Sequence, residues 1–308
     1  MRFLIELPTW LGDSIMATPS IENLVRKNPN IDLVFLGSSS SVEIMKRHPK
    51  CKQTFIFSKK ISSFFKLSKQ IGKVDFFISY RGSIRSKLLN IFIKTGRFIQ
   101  YDKSKFVRGH QVEKYNNFIN FYFDINLPPG NLKIYNQSNH EIQFSQPTIG
   151  LNPGAKYGSS KCWPAEKYAE LAQKLSKNFN IVIFGGRDEI DLCSVIESLT
   201  PKSSKNILNL AGQTSIDDLI NRIGQLKLFI TGDSGPMHIA AALDVPTISI
   251  FGPTKFLETS QWRNKQSIIV KKNFECQPCM ERECPLKHHK CMREISVDEI
   301  MEKISELI

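Results

Sequence analysis

No apolar run in these 308 residues approaches the ~18 that suggest a membrane span; the longer ones, such as LLNIFI at 88–93, are brief. There is no G-x-G-x-x-G after the first apolar stretch and no G-x-x-x-x-G-K-[ST] anywhere. The usual signatures of dinucleotide and P-loop binding are therefore missing. Internal repeats and low-complexity tracts are missing too. The opening MRFLIELPTWLGDS has an apolar stretch too short for a secretory signal, and it meets Pro8 at once, so a cytoplasmic chain is expected. The seven cysteines are an odd count, which argues against a disulfide framework in an intracellular chain.

Acidic residues are scarce in one part only. Residues 1–120 hold 21 Lys and Arg against 8 Asp and Glu, while the remainder holds 21 of each, so the whole net charge of +13 sits in the first part. Such asymmetry points to a polyanionic partner: nucleic acid, an anionic membrane surface or an acidic substrate. The plainer alternative is a solvated surface in a basic proteome.

What is present suits a soluble globular protein of two domains: 41% hydrophobic and 23% charged residues over a length with ample core. Strands are expected at 2–7, 32–37, 54–57, 76–80 and 97–101, with helices around 14–27, 61–71, 83–94 and 111–123. That alternation predicts a parallel sheet covered on both faces. Residues 126–147, rich in Pro, Asn and Gln, read as a linker with one stray strand. The alternation restarts with strands at 148–152, 180–186, 226–232 and 245–252, and helices near 164–177, 188–199 and 236–243. An amphipathic helix at about 296–308 ends the chain, free to pack back on the first domain. The fold class is α/β, with two Rossmann-like doubly wound domains, 1–147 and 148–308, facing across a cleft. Ligands in such sheets sit at the carboxyl ends of the strands, so those loops are the ones to inspect.

FITGDSGPMHIAAAL, from 229, is a strand, a tight turn and a helix start. Gly232 and Gly235 permit close backbone approach, Pro236 suits a first helical turn, and the free N–H groups there attract anions. Asp233, Ser234 and His238 add groups for hydroxyls or phosphate. Simple helix capping by Asp233 or Ser234 is the structural alternative. LNPGAKYGSSKCWP, from 151, is a longer polar loop in which Lys161 can offer a point charge to phosphate. FGGRDEID, from 184, places Asp188 or Glu189 for ribose hydroxyls, or merely as helix-start acids. In the first half Asp13 follows Gly12 in PTWLGDSIMATPS. It is either an ordinary N-cap or a carboxylate able to take a proton from a nucleophile.

CQPCMERECPLKHHKC, 276–291, sets four thiols within sixteen residues, with His288 and His289 among them. That number can hold a tetrahedral Zn²⁺, but the spacing departs from the paired C-x2-C form, and packed free thiols are the preferred reading.

Taken in order, LGDSIMATP, NPGAKYGSSKCWP, GDSGPMHIAAALDVPTISIFGPT and CQPCMERECPLKHHKCM resemble the bacterial lipopolysaccharide heptosyltransferases, glycosyltransferase family 9, over nearly the whole chain. The second and fourth look like the type II branch rather than type I. The resemblance implies a GT-B fold, an ADP-heptose donor, the first heptose of Kdo-lipid A as acceptor, inversion at the anomeric carbon, and neither cofactor nor metal. It implies Asp13 as general base and Lys161 on the diphosphate, with Gly154, Ala155, Lys156 and Tyr157 around it. Asp233 would bind heptose hydroxyls; Ser234, Gly235 and His238 would line the donor phosphate site; Asp188 would take the adenosine ribose. Closing the cleft would assemble the site, and the basic domain would meet the anionic acceptor at the cytoplasmic face of the inner membrane. The alternatives are another GT-B sugar-nucleotide enzyme, such as a type I heptosyltransferase or an epimerase, and a basic nucleic-acid-binding protein. The last leaves the loops of the second half unexplained, and no nucleic-acid partner is expected.

Overall fold

Apolar strand runs bounded by turn residues become parallel strands in both halves of the chain. The structure, a computed structural model, describes residues 1–57, 62–135, 147–201 and 206–308. The chain divides into two compact units, Met1–Gln137 and Ser138–Ile308.

The first unit holds β1 (Arg2–Glu6), α1 (Leu11–Met16), α2 (Thr18–Lys27), β2 (Asp32–Gly37), α3 (Ser39–Met45), β3 (Cys51–Ile56), α4 (Ser63–Ile71), β4 (Val74–Ser79), α5 (Ile84–Phe92), β5 (Thr95–Gln100) and α6 (Gln111–Phe123). Its parallel sheet runs β3-β2-β1-β4-β5. The second unit holds β6 (Thr148–Asn152), α7 (Ala165–Leu175), β7 (Asn180–Ile183), α8 (Ile190–Leu199), β8 (Ile207–Asn209), α9 (Ile216–Ile223), β9 (Leu228–Gly232), α10 (Gly235–Ala242), β10 (Thr247–Phe251), α11 (Phe256–Thr259), β11 (Ser267–Lys271), α12 (Lys290–Arg293) and α13 (Val297–Ser305). Its sheet runs β11-β10-β9-β6-β7-β8, again parallel.

Each order reverses once, between β1 and β4 and between β6 and β9. In doubly wound sheets that reversal opens a crevice at the strands' carboxyl ends. The loops after β1, β4, β6 and β9 are therefore the ones the fold offers to ligands. β6, β9 and β10 are buried along their whole length, as expected for strands covered on both faces.

Several expectations shift. The helix expected at 14–27 is two helices meeting at Ala17, with Pro19 in the first turn of the second. The strand expected at 180–186 ends at Ile183, where Gly185 and Gly186 lead into a 3-10 turn at Arg187–Glu189. Residue 61 of the helix expected at 61–71 lies outside the described residues, as do residues 136–146 of the expected linker; its residues 126–135 form no strand. Residues 126–135 of that linker are a strap on the first unit. Asn23 Nδ2 donates to the Pro128 carbonyl at 3.0 Å, and Asn116 and Asn120 Nδ2 donate to the Leu127 carbonyl at 2.8 and 2.9 Å. The Lys133 backbone N–H donates to Thr18 Oγ1 at 2.9 Å. The stretch lacks strand patterning because helix side chains, not a neighbouring strand, satisfy its backbone. The division between the two units falls after Gln137, within the expected linker.

The terminal helix α13 packs on α7 and β10. Val297, Ile300 and Ile304 join Trp163, Tyr168, Ile248 and Ile250 in one core. Packing there is tight. A Cβ on Gly150, in β6, would lie 2.5 Å from Leu226 Cδ1 and 2.9 Å from Phe229 Cδ2. Gly150→Ala is expected to cost about 1–3 kcal/mol through overpacking. Thermal unfolding tests this, and an unchanged Tm would show that the neighbouring side chains yield freely.

Candidate functional site

The turn after β9 is held from three sides. Lys161, at the end of the 3-10 turn Ser159–Lys161, reaches Asp233 with Nζ 2.6 Å from Oδ2 and 3.3 Å from the backbone carbonyl. Thr254 Oγ1 donates to the same Oδ2 at 2.7 Å. The Lys161 and Asp233 side chains keep only 12% and 7% exposure. The lysine ammonium also lies 4.6 Å from the centre of the Tyr157 ring, a cation–π contact.

Neither Asp233 nor Ser234 acts as an ordinary helix cap. Ser234 occupies the N-cap position of α10 but makes no side-chain cap bond. Its hydroxyl lies 3.0 Å from Thr231 Oγ1 and 3.3 Å from Asn152 Nδ2. The first N–H groups of α10 thus gain no partner from the Ser234 side chain, at the end of the helix that favours anions. His238 is buried in the first turns of the same helix, and Gly235 opens it. The structure therefore brings Lys161, Asp233, Ser234, Gly235 and His238 to one switch point.

The loop after β6 is braced from the cysteine-rich segment. The Ser160 backbone N–H donates to the Arg282 carbonyl at 3.1 Å, and Ser160 Oγ donates to the Glu281 carbonyl at 2.6 Å. His289 Nε2 lies 2.9 Å from the Ser160 carbonyl, and the Tyr157 hydroxyl donates to the Met280 carbonyl. Gly158 sits so close that a Cβ would come 2.2 Å from the Arg282 carbonyl oxygen. The same segment reaches the loop after β10: the Met280 N–H donates to the Pro253 carbonyl at 3.0 Å, and Gln277 Nε2 to that of Gly252 at 2.6 Å.

Cys276, Cys279, Cys284 and Cys291 border one small cavity together with His288 and His289. Burial, and after it the three neighbouring thiols, pushes Cys291 up to about 11, so it is a thiol at neutral pH. Among the described residues no group of three or more His, Cys, Asp or Glu is placed to hold a metal ion.

Other expected donor residues stand apart from this knot. Lys156 and Asp188 face each other at 3.9 Å, and Asp188 is 81% exposed. Glu189 turns back instead: its carboxylate accepts from the Gly186 N–H at 2.6 Å, and it fills the space where a Cβ on Gly154 would stand. Gly154 and Ala155 continue the loop from Asn152, whose Nδ2 donates to the Gly154 carbonyl at 3.1 Å.

In the first unit Asp13 lies half-buried in the first turn of α1. Its carboxylate adds to the burial that drives the Tyr115 hydroxyl well above its ordinary value. At the reversal of the first sheet lies a group that sequence reading missed. Glu6 is fully buried at the end of β1, level with Ser79 of β4. Ser79 Oγ donates to Glu6 Oε2 at 2.6 Å, and Arg81 Nη1 stands 3.5 Å from Oε1. Burial raises the Glu6 carboxyl above its ordinary value, against the opposing pull of the Ser79 and Ser86 hydroxyls and of Arg81 and Arg85. Thr254 was also missed as a site residue. It ends the long apolar motif, and only its position beside Asp233 reveals it.

The chain matches the model of glycosyltransferase family 9 (heptosyltransferase) over residues 64–290. A lipooligosaccharide heptosyltransferase 2 of Campylobacter jejuni is 36% identical over 319 aligned positions, covering all of this chain and 98% of that one. The solved Escherichia coli ADP-heptose lps heptosyltransferase II aligns with TM-score 0.84 at 20% identity, over all of this chain and 98% of that one. The E. coli heptosyltransferase WaaC with ADP aligns with TM-score 0.77 at 15% identity, over the whole of both chains. At such identities these structures speak to the fold, and the two parallel α/β sheets are those of GT-B heptosyltransferases. The family match and the full-length relative together settle the class: the chain is a glycosyltransferase and belongs to glycosyltransferase family 9, the heptosyltransferases.

Proposed function

We propose that this enzyme moves L-glycero-D-manno-heptose from ADP-heptose to the first heptose of the Kdo-lipid A inner core, with inversion. The observation that carries the reading is the Lys161–Asp233–Thr254 knot beside the start of α10. It gathers a cation, an anion-favouring helix end and a carboxylate at one turn. A leaving nucleoside diphosphate needs the first two, and sugar hydroxyls suit the third. The donor and the second-heptose acceptor follow the relatives named above.

In this reading Asp13 accepts the proton of the acceptor hydroxyl as its oxygen bonds to the anomeric carbon. The bond from that carbon to the diphosphate oxygen breaks on the opposite face, and ADP leaves with its charge met by Lys161 and the α10 N–H groups. Ser234, Gly235 and His238 border the phosphates. Gly154, Ala155, Lys156 and Tyr157 line their approach, and the exposed Asp188 takes the ribose. No metal or cofactor enters the scheme. The enzyme works at the cytoplasmic face of the inner membrane; among the described residues no helix is long and apolar enough to cross one.

The test is ADP release from ADP-heptose with and without heptosyl-Kdo-lipid A, with a mass of the lipid product. A gain of one heptose that depends on that acceptor and withstands EDTA is expected. Transfer only to Kdo-lipid A lacking heptose would make this a first-heptose enzyme. No transfer at all would remove the substrate assignment.

A further inference from the structure

α5 carries two apolar stripes on opposite faces. Leu89 and Ile93, just past its end, point inward and join the first unit's core with Phe64 and Phe77. Ile84, Leu88 and Ile91 follow at i, i+4 and i+7, the spacing of a second face. That face is open: Ile84 is 76% and Ile91 75% exposed. A surface helix normally turns such residues inward, so a second apolar stripe needs its own explanation. On neighbouring α4, Phe65 is 59% exposed as well. The two helices are in contact, with the Phe64 and Phe92 rings 6.2 Å apart.

The charge around this face has one sign. From residue 44 to residue 101 the chain has 14 Lys and Arg and a single acid, Asp75. Lys66, Lys69 and Lys87 are exposed on α4 and α5 themselves, and Lys69 Nζ lies 4.4 Å from the Phe65 ring centre. A protein partner would have to bring a matching acidic rim around an apolar centre. An anionic bilayer offers both over any area, with acyl chains for Ile84 and Ile91 and headgroups for the lysines.

We propose that the paired outer faces of α4 and α5 form the surface by which this enzyme docks on an anionic lipid bilayer. The face begins at Ile84, in the loop-to-helix step after β4, at the same carboxyl end of the sheet as Asp13 and Arg81. Docking there brings membrane lipid to the end of the sheet where the acceptor reacts. The purpose of docking rests on the lipid acceptor proposed above; the surface itself does not.

The experiment is co-sedimentation of the full chain with vesicles containing phosphatidylglycerol and, separately, with phosphatidylcholine vesicles, without donor or acceptor. Binding to the anionic vesicles is expected, weaker on neutral ones and weakened by added salt. Ile84→Ser with Ile91→Ser should lower apparent affinity for the anionic vesicles about tenfold or more, since two apolar side chains leave the interface. Its Tm and its turnover on a delipidated acceptor should stay at wild-type values. Phe65→Ser, on the other helix, should weaken vesicle binding independently and covers the case in which the double variant folds poorly. Failure of the wild type to bind anionic vesicles, or equal binding by both variants, overturns the proposal. So does a wild-type dimer that Ile84→Ser with Ile91→Ser dissociates while vesicles go unbound, since the face would then belong to a second copy. Vesicle binding without heptose transfer would instead leave the surface standing and remove the acceptor reading.

Discussion

Asp13→Ala is expected to leave the chain folded while turnover falls by about 10²–10⁴, the usual contribution of a positioned general base. The two halves of that statement rest on different observations. Asp13 lies half-buried in the first turn of the six-residue α1, where an acid contributes typically ~0.3–1 kcal/mol through the helix dipole. Loss of that contribution shifts Tm by a few degrees at most. Turnover is another matter, because a sugar hydroxyl is a poor nucleophile until its proton is taken. The rate loss should appear in kcat with saturating donor and acceptor, and Asp13→Asn should reproduce it with the side-chain volume kept. A base defect also has a pH signature: the deficit of Asp13→Ala should narrow as pH rises and solvent base takes over. A structural defect would show no such narrowing. Turnover at the wild-type level would take Asp13 out of the mechanism.

The sequence reveals most of the second sheet because its central strands are apolar along their whole length. β6, β9 and β10 read as strands without any help from their neighbours. The edges were harder. β8 is three residues long and partly exposed, and β11 carries a mixed face, so neither stands out from the surrounding loops. α3 begins with three serines and was passed over, although Ser38 caps it with a hydrogen bond to the Ser41 N–H. The site was legible where its chemistry is local: glycines, Asp233 and Ser234 within one turn between an apolar strand and a small-residue helix. It was illegible where partners are distant in sequence. Glu6 gains its meaning from Ser79 and Arg81, more than seventy positions away, and Ser160 from Glu281 and His289. The cysteine-rich segment invited a metal reading from its composition. Its visible role is the brace it forms through backbone carbonyls, which no residue pattern announces. Asp188 is a different case: an acid at a helix start after a double glycine points to ribose on local pattern alone, and in the structure it stands exposed, 3.9 Å from Lys156.

Asp233 and Lys161 should separate stability from catalysis when each is removed alone. Asp233→Ala strands the Lys161 ammonium at 12% exposure and also deprives Thr254 Oγ1 of its acceptor. Breaking a buried ion pair from one side costs ~3–5 kcal/mol; here water reaches the lysine in part, so about 2–3 kcal/mol is expected. Lys161→Ala leaves Asp233 with the Thr254 hydroxyl still donating at 2.7 Å, and the aspartate is better served than the lysine would be. Its loss of stability should therefore be the smaller of the two. If Lys161 meets the leaving diphosphate as proposed, its kinetic loss should be the larger share of its phenotype, with the donor KM rising and kcat falling together, because such a group acts in both bound and transition states. Urea unfolding of both single variants and of the double variant yields the coupling between them directly. If the double variant is as stable as Lys161→Ala, the cost of Asp233→Ala was the stranded charge. If the two losses simply add, the pair contributes no coupling, and the 2.6 Å contact serves only to park the lysine until a diphosphate draws it away.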